Sequence, residues 1–247
     1  MVNQQTLIIG ASSGIAQSLA VKVASSSNTR LTLVSRDLSE VRLNQDFKNQ
    51  EVSLIQVEDY EAESISKAID KINAESPLPI TQVYICNGLL HSQTIKPEKR
   101  LEDIDADSFM QVIKANSLTP LLWIQGLVPI LTGKFECKLT VFSARVGSIS
   151  DNQLGGWYSY RASKAALNMM LKNVAIEVAR RAKNIKVIVF HPGTTDTGLS
   201  KPFQSNVPAN KLFTPDYVAQ QLLDIVTKTP LDAQASFLDW QGQDIVW

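Results

Sequence analysis

The chain has 247 residues and carries 24 Lys plus Arg against 24 Asp plus Glu, a formal net charge of zero. That balance removes the electrostatic case for nucleic acid or an anionic membrane as partner and directs attention to small-molecule chemistry. With no Pro/Gly/Ser-rich linker or shift of composition along residues 1–247, one large domain is expected.

The opening MVNQQTLIIG has no basic region leading into an apolar core, so a cytoplasmic protein is expected. Short apolar runs then alternate with amphipathic stretches: TLIIG (6–10), followed by Ile15, Leu19 and Val23 at helical spacing; LTLVS (31–35); VSLIQV (52–57), followed by Ile65, Ile69 and Ile72. The pattern continues through QVYIC (82–86), a helix from about Ser108 to Leu131, KLTVFS (138–143), a helix from about Trp157 to Ala182, IKVIVF (185–190) and ASFL (235–238). Strands apolar on both faces and separated by helix-length segments predict an α/β fold. The expected form is a single-domain, doubly wound (Rossmann-type) parallel sheet of about seven strands with helices on both faces. Ligands bind such sheets beyond the carboxyl ends of the strands. The apolar segment 118–131 is too short, and too interrupted by Pro120, Gln125, Gly126 and Pro129, to span a bilayer. Leu199 to Pro215 is a long irregular stretch expected to act as a substrate lid.

The first strand runs directly into Gly10-Ala-Ser-Ser-Gly14-Ile15-Ala16, where helical periodicity begins. Glycines between a strand and a helix permit a tight turn and close approach of a pyrophosphate, whose charge meets the helix N-terminal amides; Ser12 and Ser13 add hydroxyls. Ser35 and Arg36 follow the second strand. An acid there would repel a 2′-phosphate, whereas serine followed by arginine accepts it, so NADP(H) is favoured over NAD(H). Asp59 and Tyr60 end the third strand and are expected to frame an adenine.

Tyr160 and Lys164 stand four residues apart in a predicted helix, which places an ammonium beside a phenol and predicts a lowered tyrosine pKa. Tyr158 has Ala162 at the same spacing and is set aside. Ser143 ends the apolar run KLTVFS. Cys86 and Cys137 read as buried free thiols, and His91 and His191 are too isolated for a metal site, so no metal is expected.

Taken in order on one frame, these residues make the chain resemble the short-chain dehydrogenase/reductase family along nearly its whole length. Gly10 to Ala16 matches the family's TGxxxGxG turn, with Ile9 in place of the threonine and Ala16 in place of the last glycine. The resemblance implies a catalytic set of Asn116, Ser143, Tyr160 and Lys164, with Asn116 carrying a water toward Lys164. Lys164 would also hold the nicotinamide ribose. HPGTTDT (191–197) resembles the PGxxxT segment, which implies cofactor contacts for Pro192, Gly193, Thr195 and Thr197. ICNG (85–88) stands where the family has NNAG, so Asn87 and Gly88 are expected beside the adenine ribose, in an altered wall. The insertion around SDNQLGG and the ending DWQGQDIVW resemble the bacterial C-factor-like branch. The resemblance implies an oxidoreductase transferring hydride between NADP(H) and a small-molecule carbonyl or alcohol, working as a homodimer or homotetramer without nucleic acid or membrane. A dinucleotide-binding sensor with little turnover is the alternative.

Overall fold

The computed structural model describes residues 2–25, 28–42, 47, 51–205 and 207–247. Among the described residues nine strands run in chain order: β1 (Gln4–Ile9), β2 (Thr29–Ser35), β3 (Val52–Gln56), β4 (Ile80–Ile85), β5 (Cys137–Phe142), β6 (Ile185–His191), β7 (Thr194–Thr195), β8 (Leu212–Phe213) and β9 (Ala235–Asp239). Seven of them form one parallel sheet in the order β3-β2-β1-β4-β5-β6-β9, and β7 pairs with β8 separately. The strand order reverses between β1 and β4, and a crevice opens there beyond the carboxyl ends of the strands.

Alternation along each strand sends side chains to two cores. Leu7, Ile9, Val83, Ile85, Val141 and Val189 face one side, where α2 (Ala62–Glu75), α4 (Thr119–Leu131) and α5 (Tyr158–Arg181) cover them. Ile8, Leu31, Leu33, Tyr84, Ile188 and Phe190 face the other, beneath α1 (Gly14–Ala24) and α6 (Pro215–Lys228). The helix α6 is not in the sequence reading, although Thr214 caps it by accepting from Tyr217 N at 3.2 Å, with Pro215 at its first position. Both are ordinary helix-start signals.

The helix expected from Ser108 to Leu131 is divided. α3 (Ala106–Ile113) passes through a π turn at Lys114–Leu118 before α4 begins. Pro120 has no N–H to give the carbonyl of Asn116, so the ladder widens there and Asn116 sits at the centre of the wide turn. Among the described residues no helix is long and apolar enough to cross a membrane.

The stretch from Leu199 to Pro215 is more ordered than expected. Its ends are tied by the β7–β8 pair, and single turns form at Lys201–Phe203 and Ala209–Lys211. Residue 206 lies outside the described residues.

Candidate active site

α5 carries both Tyr160 and Lys164, and its start is set by an unusual turn. Gly155, Gly156 and Trp157 all take positive φ, at 64°, 64° and 51°. Glycine adopts this freely, but for tryptophan it costs about 1–2 kcal/mol. Glu98, only 3% exposed, secures the turn: its main-chain carbonyl accepts from Trp157 N and its carboxylate accepts from Ser159 N at 3.2 Å. A carboxylate at a helix N-terminus satisfies both an orphan amide and the helix dipole. Tyr160 follows one residue later with its side chain turned into the fold, 7% exposed.

Lys164 is 3% exposed, and its ammonium donates to the carbonyl of Phe142 at 3.0 Å, at the end of β5. It lies 5.9 Å from the Tyr160 ring centroid. The expected lowering of the tyrosine pKa is not what this geometry produces. Burial pushes the Tyr160 phenol up to about 12 and brings Lys164 down to about 8, because each charged form loses water. Ser143, next after Phe142, is also buried, and its hydroxyl donates to Asn168 Oδ1 at 2.6 Å.

Asn116 is fully buried between the β4 loop and α5. Its amide donates to Leu89 O at 2.7 Å and to Ser163 Oγ at 3.0 Å, and accepts from Leu89 N at 2.7 Å. The two amide hydrogens therefore tie the loop after β4 to α5. Gly88 lies between Asn116 and Lys164: a Cβ there would be 3.7 Å from Asn116 Oδ1 and 3.8 Å from Lys164 Nζ. Asn87 donates to Ala115 O at 3.0 Å while its own Oδ1 is buried without a hydrogen-bond partner.

A cavity of ≈ 590 Å³ joins these groups to the glycine turn. Gly10 has φ 79°, and a Cβ on it would come within 3.0 Å of Asn87 N, so the floor of the turn must be bare backbone. Ser12, Ser13, Gly14 and Ile15 line the same wall at the start of α1. Ser13 caps that helix by accepting from Ala16 N, which leaves its hydroxyl hydrogen available. Gly14 makes room for Thr197, whose Cγ2 would lie 3.1 Å from an added Cβ. This bare-backbone cradle at a helix N-terminus and the unpartnered Asn87 Oδ1 fit a dinucleotide.

At the far end, Arg36 lies over the Tyr60 ring at 5.1 Å, and both line the cavity. Asp37 does not compete for Arg36, since its carboxylate accepts from Ser39 N at 2.8 Å and Ser39 Oγ at 2.6 Å. Two of the residues expected from sequence lie off this wall. Ser35 is buried with its hydroxyl donating to Asp37 O at 2.9 Å, and it does not reach the cavity. Asp59 also lies off the cavity wall, accepting from Glu61 N at 3.0 Å just ahead of α2. Each is one residue from a neighbour that does line the wall, and side chains on extended backbone alternate in direction.

His191, Pro192, Gly193, Thr195 and Thr197 complete the wall beside Tyr160. His191 was assigned no role from sequence, yet it lines the cavity; burial and the Arg145 charge lower its pKa to about 3, so it stays neutral. Over the mouth, Trp157 meets Tyr160 and Phe203 edge to face at 6.1 and 5.1 Å between ring centroids, and Phe203 meets His91 at 5.6 Å. His91 Nε2 lies 3.2 Å from Gly198 O, which ties the loop after β4 to the one after β7. Glu98 and Asn168 carried no sequence signal, because their partners are 61 and 25 residues away. Among the described residues no cluster of three or more His, Cys, Asp or Glu could hold a metal.

A family model described as short chain dehydrogenase matches residues 4–208. A 1-hydroxy-2-glutathionyl-2-methyl-3-butene dehydrogenase of Rhodococcus sp. (strain AD45) is 31% identical over 144 residues, covering 58% of this chain and 61% of that protein. The chain thus matches less than two thirds of that relative's length. The C-signal protein of Myxococcus xanthus is 30% identical over 147 residues, 60% of this chain and 83% of that one, in keeping with the C-factor-like branch. The crystal structure of an NADPH-bound carbonyl reductase from chicken fatty liver shares the fold, with a TM-score of 0.80 over 100% of both chains at 20% identity. Parallel sheet, glycine turn and buried Tyr160–Lys164 face meet in one molecule with this family match, and the chain belongs to the short chain dehydrogenase family of oxidoreductases.

Proposed function

We propose that the protein reduces an apolar, aryl-bearing carbonyl compound with NADPH, and that Tyr160 supplies the proton. One observation carries this reading: Ser143, Tyr160 and Lys164 open onto the same cavity as the glycine turn and Arg36. Reduced nicotinamide, when bound, supplies the hydride. Gly10, Ser12, Ser13, Gly14 and Ile15 would hold the pyrophosphate, Tyr60 and Arg36 the adenosine end, Asn87 and Gly88 the adjoining ribose. Pro192, Gly193, Thr195 and Thr197 would meet the nicotinamide end. Arg36, with Asp37 committed to Ser39, is the group that favours a 2′-phosphate. The likeness in fold to a reductase that binds NADPH supports the same choice.

A phenol with its pKa near 12 stays protonated throughout the neutral range, which suits the reducing direction. Tyr160 would give its proton to the substrate oxygen while Ser143 bonds the same atom and stabilises the charge growing on it. Lys164 would hold the ribose and the end of β5, and Asn116 would fix the loop beside it. The wall of Trp157 and Phe203, with His91 packed on Phe203, suits a flat ring on the substrate. The segment 199–215, carrying Phe203, would close over it as a lid. Met110, Leu118, Met169 and Ile176 remain exposed on and between α3 and α5, which supports pairing of chains through this region. A solution mass equal to one chain would refute that pairing.

Screening aldehydes, aryl ketones and quinones for carbonyl-dependent loss of NADPH absorbance tests the activity; cofactor binding without turnover of any of them would favour a sensor. Tyr160→Phe is expected to lower kcat by about 10²–10⁴-fold with NADPH binding retained, and unchanged turnover would sink the proton-donor role. Arg36→Ala is expected to raise the KM for NADPH by about tenfold or more and to leave NADH nearly unaffected; equal effects on both would remove the 2′-phosphate contact.

Burial of Lys164 also has a pH signature. Below pH 8 the lysine is charged in both the folded and unfolded chain, and the folded state bears the full desolvation cost. Between about 8 and 10.5 the unfolded chain holds a proton that the folded one has released, so stability rises with pH. Lys164→Met is therefore expected to be more stable than the natural chain at pH 7, by about 3 kcal/mol, with the margin shrinking as pH rises from 8 to 10.5. Denaturant midpoints across that range measure it, and a margin independent of pH would contradict the assignment.

A further inference from the structure

Tyr160, Lys164 and Asn168 are spaced at i, i+4 and i+8 on α5, so they share one helical face. That face closes on the end of β5 with two consecutive contacts: Lys164 Nζ donates to Phe142 O at 3.0 Å, and the hydroxyl of Ser143 donates to Asn168 Oδ1 at 2.6 Å. Asn168 is 3% exposed, and the other end of its amide, Nδ2, is buried without a hydrogen-bond partner. An orphaned buried N–H is rarer and costlier than an under-used carbonyl oxygen.

A serine hydroxyl has one hydrogen to give. With that hydrogen on Asn168 Oδ1, Ser143 offers only lone pairs, and a carbonyl substrate also offers only lone pairs. A half turn of the Asn168 amide about Cβ–Cγ exchanges its oxygen and nitrogen within the same volume. Nδ2 then donates to Ser143 Oγ, the orphan donor gains a partner, and the serine hydrogen is released toward the cavity that Ser143 lines.

We propose that Asn168 is a positioning residue that sets the direction of the Ser143 hydroxyl: it donates from Nδ2 to Ser143 Oγ when a carbonyl oxygen is bound, so that Ser143 can donate to that oxygen. The proposal rests on the reading that Ser143 bonds the substrate oxygen. Asn168 touches neither substrate nor cofactor and acts through Ser143 alone.

A double-mutant cycle tests it, with NADPH-dependent reduction of benzil, an aryl diketone, as the probe. Asn168→Ala is expected to lower kcat on the order of tenfold with the KM for NADPH unchanged, and to add no further loss in a Ser143→Ala background. Thermal stabilisation by NADPH equal to that of the natural chain shows that the variant is folded with its cofactor site intact. Asn168→Asp supplies a second measure. A carboxylate can only accept, so the rate at neutral pH should fall below that of Asn168→Ala and recover as the pH is lowered and the acid regains a hydrogen to donate. Additive losses in the cycle, or a pH profile for Asn168→Asp parallel to the natural chain's, would overturn the role of Asn168 while leaving Ser143 in place. No loss on Ser143→Ala, or no turnover of benzil by the natural chain, would instead overturn the reading on which the proposal rests.

Discussion

The burial of one ammonium organises this site. Lys164 loses nearly all its water, and its ammonium donates to the carbonyl at the end of β5. Such a group needs close, rigid surroundings, because any loosening either admits water or leaves the charge without its acceptor. Those surroundings are glycines. A Cβ on Gly147 would sit 2.7–2.9 Å from Lys164 main-chain and Cβ atoms, and Gly88 lies within reach of its Nζ. Asn116 then fastens the Gly88 loop through Leu89, and Ser117 Oγ donates to Ser163 O at 2.7 Å from the same π turn. The widened helix at Lys114–Leu118 and the strained turn at Trp157 both serve to dock α5 at this depth.

The sheet was legible because its signal is local: apolar runs of strand length separated by helix-length segments need no knowledge of partners. Gly10 to Ile15, Tyr160 and Lys164 were legible for the same reason, being defined by spacing within a turn or a helical face. Arg36 and Tyr60 line the cavity, whereas Ser35 and Asp59 beside them do not. A shift of one residue on extended backbone reverses a side chain's direction, and sequence cannot resolve it where a strand ends. Burial, not the neighbouring charge, leads the electrostatics. Spacing announced the neighbouring charge of Lys164, whereas the depth of Tyr160 and Lys164, which decides their pKa values, comes from α5 packing on β5. α6 went unread despite Thr214 and Pro215 because it follows the long stretch 199–215, whose β7–β8 tie depends on residues 18 apart.

The charges around the cavity have one sign. Arg36 and Lys164 stand at opposite ends, and among the described residues that line it there is no Asp or Glu. Asp37, close to Arg36, is turned onto Ser39, and Glu98, close to Tyr160, is turned onto the α5 amides. His191 is held neutral. A cleft with cations at both ends and no carboxylate between them attracts a long polyanion along its length. The same field favours negative charge on an oxygen beside Ser143 and Tyr160 over positive charge anywhere near it.

This field also bears on direction. A buried phenol with its pKa pushed up to about 12, on the same helical face as a lysine brought down to about 8, keeps its proton at neutral pH. Neither shift comes from a counter-ion; both come from lost water, so both respond to any charge that enters the cavity. A cation brought close to Tyr160 would lower its pKa and make phenolate accessible, whereas a neutral ring in the same place would leave the proton where it is. The oxidised and reduced forms of a nicotinamide differ by such a charge. Burial alone therefore keeps the Tyr160 proton in place and leaves its pKa open to lowering by a positive charge set beside it.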